Sequence, residues 1–429
     1  MPPQLTPEAA FLALRDAPGA FWLDSGPTVG PHARFHHLGA WPSEALSLAD
    51  RDPLPELERW LDAARAWVDS AVPHAVGFLS YDVARFLEPV PEQPPLPAGC
   101  LPECWFGRYD AVASFDRETG RGWLTATTEL AAERLVEAFS VAPRPVTTHS
   151  LAVGPMCFQH TEAAYAAQVR RVLEYLRAGE VYQVNLSQRL DVHLAAGVRA
   201  SDVYVRLRRR HPAPFGAFLA LDRAAIVSNS PEAFIDVDLA RHITTWPLKG
   251  TLPRTADPAT LVASGKDQAE HVMIVDLERN DLGRLAVPGS VRVASLAHLV
   301  AYPTVYHLES TITAVPRPGT TLTDVLRATF PGGSITGAPK VRAMQLIAEL
   351  EGERRGPYCG ALGYVTHGGR CARFSIPIRT AIVSPEHLTL RVGGGIVIDS
   401  DPVAEYAETV TKARAFLDLL TVRDRGASP

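Results

Sequence analysis

Cysteine is scarce here: five residues in 429, odd in number and scattered (Cys100, Cys104, Cys157, Cys359, Cys371), so no disulfide framework can be read. Cys100 and Cys104 fall in a proline-rich stretch with no second pair at zinc-ligand spacing, which leaves reduced, structural thiols in the cytosol as the expectation. No apolar run approaches the roughly eighteen residues of a spanning helix. Met1 to Ala17 has no basic segment followed by an apolar core, so a secretory signal is not expected, and neither is a membrane role. No Lys/Arg-rich run stands out and the net charge is −5, which argues against a nucleic-acid partner. An anionic small molecule would have to be held by local charge. Internal repeats and low-complexity segments are also missing.

What is present is the balance of a globular protein, 46% hydrophobic and 21% charged. The length suits either roughly three units of about 150 residues or one large domain. Val76 to Tyr81 reads as a buried strand, Pro89 to Pro102 as a loop, and Cys104–Asp116 and Gly122–Thr128 as two strands joined by a turn. Ala142 to Pro155, with three prolines, is the best linker, dividing the chain into an N-terminal region (1–150) and a second region (155–424). Thr161 precedes an amphipathic helix with Tyr165, Val169, Val172, Leu173 and Leu176 on one face and Gly179 at its end. Further helices are expected over Gln268–Glu278, Pro339–Leu350 and Ala404–Leu420. Short strands are expected at 217–221, 225–228, 234–237, 360–365, 375–383 and 389–392. Strands arriving in clusters favour an antiparallel or mixed α+β build over a doubly wound sheet.

Several segments invite chemistry, each beside a plainer reading. Pro331 to Lys340 is a Gly-rich turn entering a helix, either an anion site or an ordinary tight turn; Ala338 breaks the P-loop pattern. Gly393-Gly394-Gly395 allows close approach to the backbone, or is simply a bend. Glu405 and Glu408 share a helix face, with Lys412 one turn beyond, as a solvated ion pair or as part of a cation site with Glu270. Lys249, between an apolar strand and a glycine, is a nucleophile if desolvated and otherwise a solvated turn lysine. Ser230-Pro-Glu232 is a tight turn carrying a carboxylate.

Taken in order, these stretches resemble the chorismate-utilising family that includes anthranilate synthase large components, aminodeoxychorismate synthases, and isochorismate and salicylate synthases. The matching segments are Tyr182 to Leu186, Ser230 to Glu232, Pro247 to Thr251, Ala269 to Asp276, Arg279 to Asp281, Pro331 to Lys340, Gly360 to Tyr364, Ile378-Arg379, Gly393 to Ile396 and Ala404 to Thr409, with a looser match at Gly77 to Asp82. The resemblance implies an α+β sandwich in which two large antiparallel sheets pack face to face with helices outside and the active site in the cleft between them. Isochorismate and salicylate synthases carry a water-activating lysine where this chain has Gln183. Anthranilate synthases typically carry alanine where it has Lys249, and aminodeoxychorismate synthases carry lysine there. One departure is a loop at Gly368 to Arg373 that looks one residue long.

The family implies Mg²⁺ bound by Glu270 and Glu408 with Glu405 in or near the next shell. It implies Lys249 as nucleophile, Glu232 as proton donor and His307 as an active-site histidine. Substrate contacts are implied for Gln183, Gly250, Thr251, Thr336, Tyr358, Arg379, Gly393, Gly394, Gly395 and Lys412. The implied substrate is chorismate with ammonia from a separate glutamine amidotransferase subunit, since no such segment is recognisable here. Phe21 to Ser25 resembles a stretch that lines a tryptophan pocket in relatives. Two alternatives stand beside this: an anthranilate synthase large component, and an inactive homologue that binds a chorismate-like ligand or regulates a partner.

Overall fold

The computed structural model describes residues 5–26, 32–63, 72–95, 101–147, 149–302, 305–366 and 371–421. Among these, one 11-stranded sheet runs in the order 337–338, 183–193, 387–396, 380–383, 225–230, 215–220, 21–24, 35–39, 111–116, 122–126, with Cys157–Phe158 paired beside Gln183–His193. A 10-stranded sheet runs 248–253, 305–314, 243–245, 233–237, 371–375, 361–366, 75–79, 104–108, 44–48, and Arg292–Ala301 pairs beside Val305–Ala314. Every strand pairing is antiparallel, as in Phe21 with Leu219 and Phe78 with Leu362.

Strand alternation builds the layers. Phe21, Val76, Phe78, Val112, Leu219, Ile226 and Leu362 point inward and form the core shared by the two sheets. The neighbours Trp22 and Leu79 point outward, Trp22 under the helices on the first sheet and Leu79 under those on the second. Pro7–Leu14, Ala200–Arg210 and Pro402–Thr421 cover the first, where Glu162–Arg177 and Lys340–Glu351 also pack on strand Gln183–His193; Gly265–Gly283 covers the second, with Leu322–Thr329 against it. This is the α+β sandwich expected, and both sheets draw strands from before and after residue 150.

The helix after Thr161 is Glu162–Arg177; Thr161 accepts from the Ala164 amide, and all five expected apolar residues are buried. Three local readings need correction. Cys104–Asp116 is not one strand: Cys104–Arg108 belongs to the second sheet and Ala111–Asp116 to the first, with the chain crossing at Tyr109–Asp110. The stretch 375–383 divides the same way, around Ile376–Arg379. The helix expected over Gln268–Glu278 is longer at both ends, running as Gly265–Gly283. Of the long loop inferred at 368–373, residues 368–370 lie outside the described residues, and Cys371–Arg373 belong to strand Cys371–Ser375.

Candidate active site

The site forms where the two sheets and two outer helices meet. Lys249 lies on Leu248–Pro253 in the second sheet, where the register shifts against Val305–Ala314 and Gly250 takes a left-handed φ of 65°. A Cβ at Gly250 would lie 2.7 Å from Leu261 and 3.3 Å from Asp267 Oδ1. The bulge aims Lys249 across the seam: Nζ is 3.4 Å from Gln183 Oε1 on the first sheet and 3.9 Å from Glu270 Oε2 on helix Gly265–Gly283. Burial depresses the Lys249 ammonium below the ordinary lysine value, against the opposing pull of Glu270 and more weakly of Glu232 and Glu408; the nearby Lys412 adds to the depression.

Gly393, Gly394 and Gly395 are not a bend after a strand. They lie inside His387–Ile396, paired with Ser187, Leu186 and Asn185. A Cβ at Gly394 would stand 3.1 Å from Glu405 Oε2 and 3.4 Å from Glu408 Oε1, and one at Gly395 would stand 3.1 Å from the Gln183 amide. Propensity disfavours three glycines in a strand; close approach by these side chains requires them. Lys412 donates to Glu408 Oε1 at 2.6 Å and to the Gly393 carbonyl at 2.9 Å.

Glu232, between strands Ala225–Ser230 and Ala233–Val237, is buried, and burial lifts its carboxyl to about 7 despite the Ser334 hydroxyl and Lys249 acting the other way. Its Oε1 has no hydrogen-bond partner among the described residues. His307 donates from Nδ1 to the Gly250 carbonyl at 2.8 Å, with Thr251 Oγ1 3.2 Å away. That bond fixes the proton on Nδ1 and leaves Nε2 as an acceptor, and burial keeps the ring neutral by lowering its pKa. Arg379 has a left-handed φ of 49°, and burial lowers its pKa; among the described residues no carboxylate pairs with it, though the field of Glu232 reaches it. A desolvated, unpaired guanidinium suits a carboxylate.

Tyr358 is buried with its ring near the Arg355 guanidinium. The Thr336 hydroxyl donates to the Gly332 carbonyl at 2.9 Å, so it braces the glycine turn. Lys340 folds back into that turn, donating to Asp281, Pro331 O and Thr329 O. Its ammonium therefore occupies the 331–340 segment.

For a metal, the oxygen donors are Glu405 and Glu408 around Gly394, and Glu270 facing Lys249 and Lys266. Burial and the neighbouring Glu408 raise the Glu405 carboxyl. Burial also works upward on Glu408, where Lys412, with Lys249 and Lys266, more than offsets it. No three His, Cys, Asp or Glu side chains among the described residues converge tightly enough to form a metal centre unaided. Carboxylates crowded against a glycine, with lysines as their counter-ions, fit a hard divalent cation that takes its remaining oxygens from substrate and water.

Asp267, one turn before Glu270 and facing Gly250, is a site residue that sequence reasoning missed. A compositional signal pointed this way: only Lys249, Lys266, Lys340 and Lys412 among the 42 basic residues are lysines. All four lie in this region. A separate small recess is lined by Leu23, Asp24, Ser25, His37, Phe215 and Arg373.

The chain belongs to the chorismate-binding enzymes, whose family matches residues 18–418. It is of the aminodeoxychorismate and anthranilate synthase type. It is 38% identical to aminodeoxychorismate synthase component 1 of Salmonella typhimurium, over 96% of each chain. It is equally 38% identical to anthranilate synthase component 1 of Streptomyces coelicolor, over 96% of this chain and 86% of that one. Anthranilate synthase component I from Streptococcus pneumoniae superposes with a TM-score of 0.79 at 30% identity, covering 90% of this chain and 92% of that one. The menaquinone-specific isochorismate synthase of Escherichia coli shares the fold, with a TM-score of 0.75 at 19% identity, covering 96% of this chain and 91% of that one. No helix among the described residues is long and apolar enough to cross a membrane.

Proposed function

We propose that this protein is the amination component of an aminodeoxychorismate synthase, converting chorismate and ammonia to 4-amino-4-deoxychorismate. The observation that carries this reading is the Lys249–Gln183 pair: a desolvated lysine aimed into the cleft, with an amide facing it instead of a second base. Neutral Lys249 adds through Nζ to ring C2 while the C4–O bond breaks, and Glu232, protonated up to about pH 7, gives its proton so that the hydroxyl leaves as water. Ammonia then adds at C4, the C2–N bond breaks, and the lysine is restored. Arg379 and Tyr358 hold the enolpyruvyl carboxylate, with the Gly393–Gly395 strand beside them. His307 presents Nε2 to the substrate, with Thr251 and Gly250 fixing the ring.

Glu270 and Glu408, with Glu405 close by, would hold Mg²⁺, whose charge neutralises the ring carboxylate of the substrate. Lys412 keeps Glu408 oriented at the Gly394 strand. Ammonia comes from a glutamine amidotransferase partner, in keeping with the "component 1" of the relatives' names, and the reaction belongs to p-aminobenzoate and folate synthesis in the cytoplasm. The recess at Leu23–Ser25 is the place for a tryptophan-like ligand.

The anthranilate synthase reading aminates C2 and eliminates pyruvate. The test is purified protein with chorismate, Mg²⁺ and concentrated ammonium salt, products separated and identified by mass. A product that keeps the pyruvyl group and exchanges one hydroxyl for an amine supports the proposal. Fluorescent anthranilate with released pyruvate overturns it.

A further inference from the structure

One buried amide in the cleft is uncommitted. Asn185 lies two residues beyond Gln183 on strand Gln183–His193, so alternation puts both side chains on one face. The cross-strand partner of Asn185 is Gly395, and a Cβ there would stand 3.1 Å from the Gln183 carboxamide, which sets Gln183, Asn185 and the bare Gly395 together on that face. Gln183 meets Lys249 across the seam, so Asn185 faces the cleft as well. It is 9% exposed, yet its Oδ1 has no hydrogen-bond partner among the described residues, and none of them accepts from its amide nitrogen. A buried carboxamide of this kind is costly until a ligand completes it.

The backbone of Asn185 is fixed on both sides. Its N–H donates to the Thr336 carbonyl at 2.8 Å, and its carbonyl accepts from Arg355 Nη2 at 2.6 Å. Arg355 is itself enclosed. Its Nε and Nη2 meet the two oxygens of Glu351 at 2.9 and 2.7 Å, Nη1 reaches the Ile335 carbonyl at 3.3 Å, and its main-chain N–H donates to Asp82 at 3.0 Å. The same guanidinium lies 4.5 Å from the centre of the Tyr81 ring and 5.7 Å from that of Tyr358. Asn185, the Ile335–Thr336 turn and Tyr358 are thus set by one planar fork, a geometry that a lysine ammonium cannot reproduce.

We propose that Asn185 is a specificity-determining contact for the enolpyruvyl group of chorismate and that Arg355 is its positioning residue. This rests on the cleft taking chorismate with that group at Tyr358 and Arg379. The enolpyruvyl oxygens, two in the carboxylate and one in the ether, only accept hydrogen bonds, so Asn185 turns its NH2 toward them. Arg379 answers the charge of the group, and Asn185 adds a neutral donor that takes no part in proton transfer.

The test compares two ligands in N185A, N185D, R355K and R379K, with ammonium as nitrogen donor. Chorismate is followed through the KM for its disappearance. The second ligand is the dihydroxy ring acid left when hydrogen replaces the enolpyruvyl group, followed through its inhibition constant. N185A should raise the KM for chorismate about tenfold, with kcat and the inhibition constant of the ring acid near the parent's. Its melting temperature should not fall, because no protein partner is lost. N185D sets a carboxylate against that of the substrate and should raise the KM about a hundredfold, again sparing the ring acid. R355K should show the same selectivity in smaller measure, with a lowered melting temperature. An unchanged KM in N185A and N185D, or losses that fall equally on both ligands, would overturn the assignment of Asn185. Equal losses in R355K would reduce Arg355 to a structural role. An R379K variant that keeps the parent's full preference for chorismate over the ring acid would instead remove the orientation on which the inference rests.

Discussion

Lys249 Nζ stands 3.4 Å from Gln183 Oε1, bridging the two sheets at the point where neither alone could form a site. An amide carbonyl can accept from this amine but cannot act as a base toward water. The pair therefore favours addition by nitrogen over hydration. Replacing Lys249 by alanine should slow chorismate amination at least about a hundredfold, near 2.7 kcal/mol of barrier. Intact-mass analysis of the parent, quenched during turnover, should show a substrate-sized adduct that K249A lacks.

The acidity of Glu232 makes a pH prediction with a definite sign. Its carboxyl titrates near 7, and the protonated form is the donor, so the kcat/KM profile should fall on the alkaline side through this value. E232Q should lose most of the rate, about 10²-fold or more, together with that limb. A parent profile flat from pH 6 to 8.5 would contradict the assignment.

Raised acids also affect stability. Glu278, on helix Gly265–Gly283, is buried like Glu232, and in the folded state both hold protons that the unfolded chain releases near 4.5. Their contribution is present below that value and is lost as pH rises through about 7 to 8. The melting temperature should therefore decline between pH 5 and 8, and the decline should flatten in the E232Q/E278Q double variant, as differential scanning fluorimetry across that range would show.

Two adjacent glycines should behave differently. Gly394→Ala presses on the carboxylates of Glu405 and Glu408, so it should raise the Mg²⁺ concentration for half-maximal activity with little change in melting temperature. At Gly393 the added Cβ would meet the Leu186 carbonyl at 2.4 Å, so Gly393→Ala should cost about 1–3 kcal/mol in denaturant unfolding. Equal metal requirements in the two variants would contradict the carboxylate cradle.

Glu351 is fully enclosed by Arg355, Arg391 and the Ser187 hydroxyl, and Arg355 also reaches the Asn185 carbonyl beside the site. Glu351→Gln leaves two buried guanidinium groups short of charge and should cost about 3–5 kcal/mol, read as a lowered urea midpoint.

The layer architecture was legible because clustered strands and capped helices carry their own local signals; Thr161 and the apolar face behind it are one such case. The crossings at Tyr109–Asp110 and Ile376–Arg379 were not, because alternation looks the same on both sides of a switch between sheets. Whether Gly393 to Gly395 serve close approach or merely a bend was equally open, because the groups that crowd them, Leu186, Glu405, Glu408 and Gln183, are distant in sequence. Asp267 and Glu278 looked like ordinary charges on a helix, since one buries its acid and the other faces a bulge only after the second sheet has formed.

Strand Phe21–Asp24 finds its neighbour at Phe215–Ala220, and Ala75–Leu79 finds one of its own at Ala361–Thr366. A ribosome releasing this chain from the N-terminus therefore displays incomplete sheet edges until residue 366 of 429 has emerged. Such edges invite pairing with other nascent chains, so the yield of active protein should depend on translation speed and on the chaperones that shield those edges.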